Sequence, residues 1–491
     1  MNTLLNPLLH SRELPDFSAI RPEHVGPALD QLLADADTAL ERAIGADLSA
    51  DYDTLSMVLD VPVERLYRTW GHVCHLQAVV DTPELRAVHA HNLLRVIDFG
   101  TRLGADERLY AKYKAVLAHD LAHGKAHGGP LPSLTPARRK ALADALRDFV
   151  LGGAELQGAA RERFAAIQDR SGALQQQFGD HVLDATEAFA FYASEAELSG
   201  VPADVCLAAR DAAAAEGRDG YKLTLKAPCY LPLMRYASHR PLREALFRAY
   251  TTRASEFGPP ELDNSALMRE LLELRHEEAL LLGHANYGDL SLVPKMASSP
   301  AQVLDFVRDL GRRARPFAER ELAELQTFAA RELQLHELQS WDRLFAAEKL
   351  QQSRFAFSGE ELKQYFTEPR VLEGLFGLIE SLFGVAIRAE AAPVWHDSVR
   401  FYRVWRGSQA LADFYLDLHA RAGKQSGAWM DGSRARWRRP EGALQQPVAH
   451  LVCNFAPPVG DRPALLTHDD LITLFHEFGH GLHHMLVNNR T

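Results

Sequence analysis

The sequence has 491 residues, 47% of them hydrophobic and 24% charged, the proportions of a folded globular protein rather than of a disordered chain. At roughly 150 residues per domain, that length predicts about three domains, or two lobes with insertions. The 54 Lys and Arg against 65 Asp and Glu leave a net charge of −11, which argues against a nucleic-acid or anionic-membrane partner, and no run approaches the ~18 uninterrupted apolar residues of a membrane span.

Met1 to Asp16 has no basic segment followed by an apolar one, so no secretory signal is expected. Cys74, Cys206, Cys229 and Cys453 form no Cys-x-x-Cys pair. Such scattered thiols suit a reducing compartment, so the expected location is cytoplasmic. Histidine is abundant, at 22 residues, which makes its placement worth following.

In chain order, His72-x-Cys74-His75 and His89-Ala-His91 come first, and their spacings are read as ordinary structure. His119-Asp120-x-x-His123, followed by His127, has helical metal-ligand spacing but runs into a Gly/Pro-rich stretch, His123 to Pro136. That stretch predicts a connecting loop, and the cluster is read as solvated polar residues. Ala137 to Leu151 repeats apolar residues at three- and four-residue steps and predicts a helix. Tyr221 to Leu225 alternates as a short strand does. Ser265 to Leu282 predicts a helix with Ser265 as N-cap and Gly283 as stop. Ala301 to Leu335 continues in helical style, with Pro316 expected to kink or break it. Val399 to Trp405 and Leu411 to Leu418 flank a turn and predict a hairpin, and Val448 to Phe455 predicts a further strand. Arg434 to Arg439 (RARWRR) is a basic run expected in an exposed loop. The fold class is therefore mostly α, with a small β-sheet beside the final helix.

That final helix carries the chemistry. Leu471 to His484 reads LITLFHEFGHGLHH, a His-Glu-x-x-His pattern, and Thr467 with Asp470 offers a capping box at its start. On a 3.6-residue helix Leu471, Phe475, Phe478, Leu482 and Met485 share an apolar face, with His476 and His480 on the other side, one turn apart. Two imidazoles at i and i+4 reach one zinc ion at ~2.0–2.1 Å. Glu477 is placed to act as general base rather than ligand, so the expected chemistry is amide hydrolysis by metal-activated water without a covalent intermediate. The chain holds its own control. His276-Glu277 and His336-Glu337 are followed, four residues after each histidine, by Leu280 and Ser340.

The wider sequence closely resembles the thimet oligopeptidase family of zinc metallopeptidases. The resemblance rests on Asn454-Phe455 and Pro463 to His484. It extends to Phe17 to Leu29 (FSAIRPEHVGPAL), Arg248 to Ala254, Asp263-Asn264 with Leu274-Arg275, Lys295-Met296-Ala297, and Phe414 to Leu418 through Gly427-Ala-Trp429. It implies a largely helical, two-lobed enzyme that cleaves internal bonds of short unstructured peptides drawn into a channel. One zinc ion is the expected cofactor, and a monomer the expected state. The expected lobes are 1–150 with 251–395, mainly helical, and 151–250 with 396–491, catalytic. By the same resemblance His476 and His480 are zinc ligands and Glu477 is the catalytic glutamate.

One departure accompanies the match. The resemblance places the third ligand, a glutamate, about 25 residues beyond His480 on a following helix, which lies past Thr491. Gly481 to Thr491 contain no Asp or Glu. His483 lies a rise of ~10 Å along the helix from His476, too far to replace that glutamate at one ion. The sequence thus reads as the front portion of such an enzyme. The alternative is an inactive remnant that still binds peptides, or zinc weakly.

Overall fold

The computed structural model describes residues 6–9, 14–123, 134–439, 441–460 and 462–487, the side chains of 121–123 aside. Its predominant element is the helix. Pro22–Ile44 opens with proline, whose fixed φ suits a first helical turn, and buries Val25, Leu29, Leu32, Leu33, Ala36 and Leu40 at three- and four-residue steps. Helices Val61–Val79 and Pro83–Gly104 pack beside it. The latter begins at Thr82, whose hydroxyl accepts from Leu85 N.

The strands are β1 (Phe191–Ala193), β2 (Tyr221–Leu223), β3 (Ala386–Ala389), β4 (Arg400–Arg406), β5 (Gln409–His419), β6 (Trp429–Arg434), β7 (Trp437–Arg438), β8 (Leu444–Gln445) and β9 (Val448–Phe455). Five of them form one sheet in the order β3-β4-β5-β9-β6, antiparallel except for the β5–β9 pair. Both faces are covered, and this explains why β5 and β9 read as near-continuous apolar runs. Tyr415 and Val448 face a core made with Phe17, Leu29, Leu66, Val73 and Phe99 of the N-terminal segments. Phe414, Leu416, Ala449, Leu451 and Cys453 face a second core with Leu474, Phe478 and Met485. The expected hairpin and the strand Val448–Phe455 are present, and the helix His468–Leu486 lies against the sheet.

Several expectations are corrected. Pro316 does not break its helix, which runs continuously over Pro300–Glu332. The stretch around it is solvent-exposed, so water can serve the carbonyl that proline leaves without a donor. Ser265 is the first helical residue rather than the cap. Asn264 precedes it, its side chain held by Phe178 O and His181 Nδ1. The run Arg434 to Arg439 is no simple exposed loop. Arg434 ends β6 and donates to Gln446 O, β7 pairs with β8, and Arg439 reaches Glu64 on the helix Val61–Val79. Most of the predicted loop His123 to Pro136 lies outside the described residues, as do the side chains of His123 and His127. Of that cluster, Asp120 accepts from Arg139 Nε at 2.8 Å and from Leu134 N at 2.7 Å.

Candidate metal centre

The helix His468–Leu486 is fixed at its start by the box the sequence offers. Thr467 Oγ1 accepts from Asp470 N at 3.1 Å, and Asp470 Oδ2 accepts from Thr467 N at 2.8 Å. The segment ahead of it is stitched to the start of helix Glu368–Phe383. Thr367 bridges Leu465, Leu466 N donates to Phe366 O, and Glu368 N donates to Ala464 O. Arg235 pairs with Asp469 at 2.6 Å. The first turn is thus anchored on three sides before the motif begins.

The side docked on the sheet carries Leu474, Phe478, Gly481 and Met485. Gly481 permits the approach, because a Cβ there would stand 3.0 Å from Leu451 Cδ2. Phe475, expected on this face, is 40% exposed. Leu474 takes its place, and the apolar stripe is rotated by about one residue, which the contact of Gly481 with β9 requires.

His476 and His480 stand on the exposed side. Their Nε2 atoms are 3.1 Å apart and their rings meet edge to face, with centroids 4.7 Å apart. Bonds of ~2.0–2.1 Å at tetrahedral angles put two ligand atoms about 3.3 Å apart, so this pair fits one zinc-class ion with little adjustment. Between them Glu477 turns inward and is 8% exposed. It lies near Cys453 of β9, whose thiol burial pushes up to about 12, with the Glu477 carboxylate adding to the rise. Among the described residues no other His, Cys, Asp or Glu joins His476 and His480 in a three-residue cluster. His484 is occupied elsewhere, its Nε2 3.0 Å from Arg434 O and its ring against Gly432 of β6. His483 is exposed.

The loop after β5 locks the sheet to the N-terminal helices. Lys424 is buried and donates to Asp417 Oδ1 and to the carbonyls of Asp417, His419 and Cys453. Burial lowers its ammonium to about 8, against the attraction of Asp417. Arg421 grips Asp417 and donates to Val79 O, Gln425 N donates to Ala78 O, and Asp81 N donates to Gly423 O. Gly423 has φ +67°, and a Cβ there would fall 2.7 Å from Asp81 O. Sequence spacing gave no sign of this network, nor of the pairing of buried Glu368 with His419 Nε2 at 2.8 Å and with Arg400.

Comparison with known proteins adds to this geometry. The family model described as Peptidase family M3 matches residues 233–491, and that described as Neurolysin/Thimet oligopeptidase, N-terminal domain, matches 29–161. Oligopeptidase A of Salmonella typhimurium and that of Escherichia coli are each 43% identical over 493 residues, covering 99% of this chain and 71% of theirs. Dipeptidyl carboxypeptidase of Salmonella typhimurium is 29% identical over 495 residues, covering 100% of this chain and 71% of its own.

Proposed function

This chain belongs to peptidase family M3 and is a metalloendopeptidase, and from that premise we propose that it hydrolyses internal bonds of short, unstructured peptides at a zinc site built on His476 and His480. The observation that carries the reading is the 3.1 Å convergence of the two Nε2 atoms on the free side of a helix whose other side is docked. A zinc ion held there supplies Lewis-acid chemistry, activating water and polarising the scissile carbonyl. His476 and His480 would hold it through Nε2, as neutral imidazoles.

Glu477, one residue from the first ligand, takes the proton of the attacking water and passes it to the leaving amine. The sheet beneath holds the helix still while substrate approaches from the exposed side. A deep channel between two lobes, which the family resemblance implies, would restrict substrates to short peptides.

A second reading is favoured by one observation: two donors, not three, converge at His476 and His480 among the described residues. On that reading the chain binds peptide and holds zinc weakly without cleaving. Hydrolysis of an internally quenched peptide with both termini blocked separates the two. Zinc-dependent cleavage supports the endopeptidase. Bound peptide that stays intact supports the second reading.

A further inference from the structure

On the opposite face of the five-stranded sheet, two more histidines meet. His75, on the helix Val61–Val79, and His450, on β9, are 2% and 1% exposed, with ring centroids 3.8 Å apart and planes tilted by 31°. All four of their ring nitrogens are buried without a hydrogen-bond partner among the described residues. Phe17, Trp395 and Tyr415 wall the pair, with Phe17 5.7 Å and Tyr415 5.4 Å from His450 between centroids. The Tyr415 hydroxyl is likewise buried and unpartnered. Asp431 lies opposite His450 in the β6–β9 ladder, so its side chain shares that face.

We propose that His75, Asp431 and His450 form a binding site for a divalent transition-metal cation of the zinc class, distinct from the motif helix and structural in role. One nitrogen from each imidazole and one Asp431 oxygen lie within 4.8 Å of one another. Closure by up to about 1.5 Å brings them to the ligand separations of a zinc-class ion. A His₂Asp set suits borderline metals. Buried polar groups without partners are costly and rare, and five of the fourteen such side-chain atoms among the described residues, the four nitrogens of His75 and His450 and the Tyr415 hydroxyl, meet at this one point. Burial holds both imidazoles well below the ordinary histidine range, so each is neutral with a lone pair to give. The nearby cations Arg421 and Lys424 are already paired with Asp417, which leaves Asp431 to supply the charge. Asp431 is exposed, and that gives the ion a way in.

The three ligands come from the helix Val61–Val79, β6 and β9. A cation among them would clamp the N-terminal helices to the sheet that carries, on its other face, the motif helix. No local pattern announces this site, because its ligands are distant in sequence and only the β6–β9 register and the packing of one helix bring them together.

The test removes the motif site first. The His476→Ala/His480→Ala variant is loaded with Zn²⁺, dialysed and assayed for bound zinc, then reloaded with Co²⁺ for its visible absorption. The expected result is about one retained zinc per chain, d–d absorption from the cobalt form, and a higher melting temperature with metal than without. Adding Asp431→Asn, an exposed change that the fold tolerates, should weaken zinc binding by at least about tenfold. Adding His450→Phe should abolish it. Absence of bound zinc in the double variant, or retention unchanged by Asp431→Asn and His450→Phe, would overturn the proposal and leave the pair as two buried imidazoles without a ligand. Because the readout is metal content in a background lacking His476 and His480, its failure says nothing against the motif site.

Discussion

The Nε2 atoms of His476 and His480 stand 3.1 Å apart while no described third metal-ligating side chain joins them. Each imidazole is exposed, so replacing one removes a donor without opening the core. His476→Ala or His480→Ala is expected to change stability by no more than about 0.5 kcal/mol and to weaken zinc binding by more than about tenfold. Equilibrium dialysis with zinc, alongside a denaturant titration, checks both halves. Unchanged zinc affinity in both variants would move the site elsewhere.

The capping box that starts this helix makes a separate prediction. Thr467→Ala removes the acceptor for Asp470 N and should cost about 1 kcal/mol. Thr467→Ser keeps the hydroxyl and should cost little. The readout is the shift in the denaturation midpoint between the two variants.

Away from the site, Arg243 and Asp342 form an ion pair at 2.8 Å in which both side chains are fully buried. Burial alone would raise the Asp342 carboxyl, but hydrogen bonds from Arg240 and Arg243 overcome it and hold the group below the ordinary range. Its stabilising contribution is therefore present above the unfolded-state value of about 3.9 and is lost as pH falls through the lower folded value. Asp342→Asn leaves Arg243 buried without its counter-charge and should destabilise by about 3–5 kcal/mol at neutral pH, as read by urea denaturation. The difference from wild type should shrink in acid.

Buried histidines give a pH effect of their own. Burial lowers His89 to about 4, against the attraction of Asp81, and it stacks on Trp70 with centroids 4.7 Å apart. Unfolded histidine titrates near 6.5, so between about 6.5 and 4 the unfolded chain takes a proton that the folded chain refuses. Stability then falls as pH falls, by up to about 1.4 kcal/mol per pH unit for this group. His89→Phe should flatten the urea-midpoint profile over that window relative to wild type. Parallel profiles would contradict the assignment.

Much of the site was legible in sequence because its determinants are local. Thr467, Asp470 and the histidine spacing lie within one helix, and β9 announced itself as an apolar run because both its faces are covered. Where two apolar residues adjoin, as Leu474 and Phe475 do, periodicity cannot fix which one docks; the approach of Gly481 to Leu451 decides it. Strand β6 was missed because Trp429–Arg434 holds Asp, Gly and Ser without alternation, and its pairing comes from β9 rather than from propensity. His75 reads as ordinary structure within His72-x-Cys74-His75, and nothing in the sequence links it to His450, because the two are joined only by topology.

The most direct test of the central claim compares this chain with its Glu477→Gln variant, measuring bound zinc and cleavage of an internally quenched, end-blocked peptide in the same preparations. The account predicts equal zinc in both, cleavage by the wild-type chain, and a loss of about 10²–10⁴-fold in the variant, the share of a general base. Cleavage unaffected by Glu477→Gln, or a wild-type chain that holds zinc and peptide without cleaving, would contradict it.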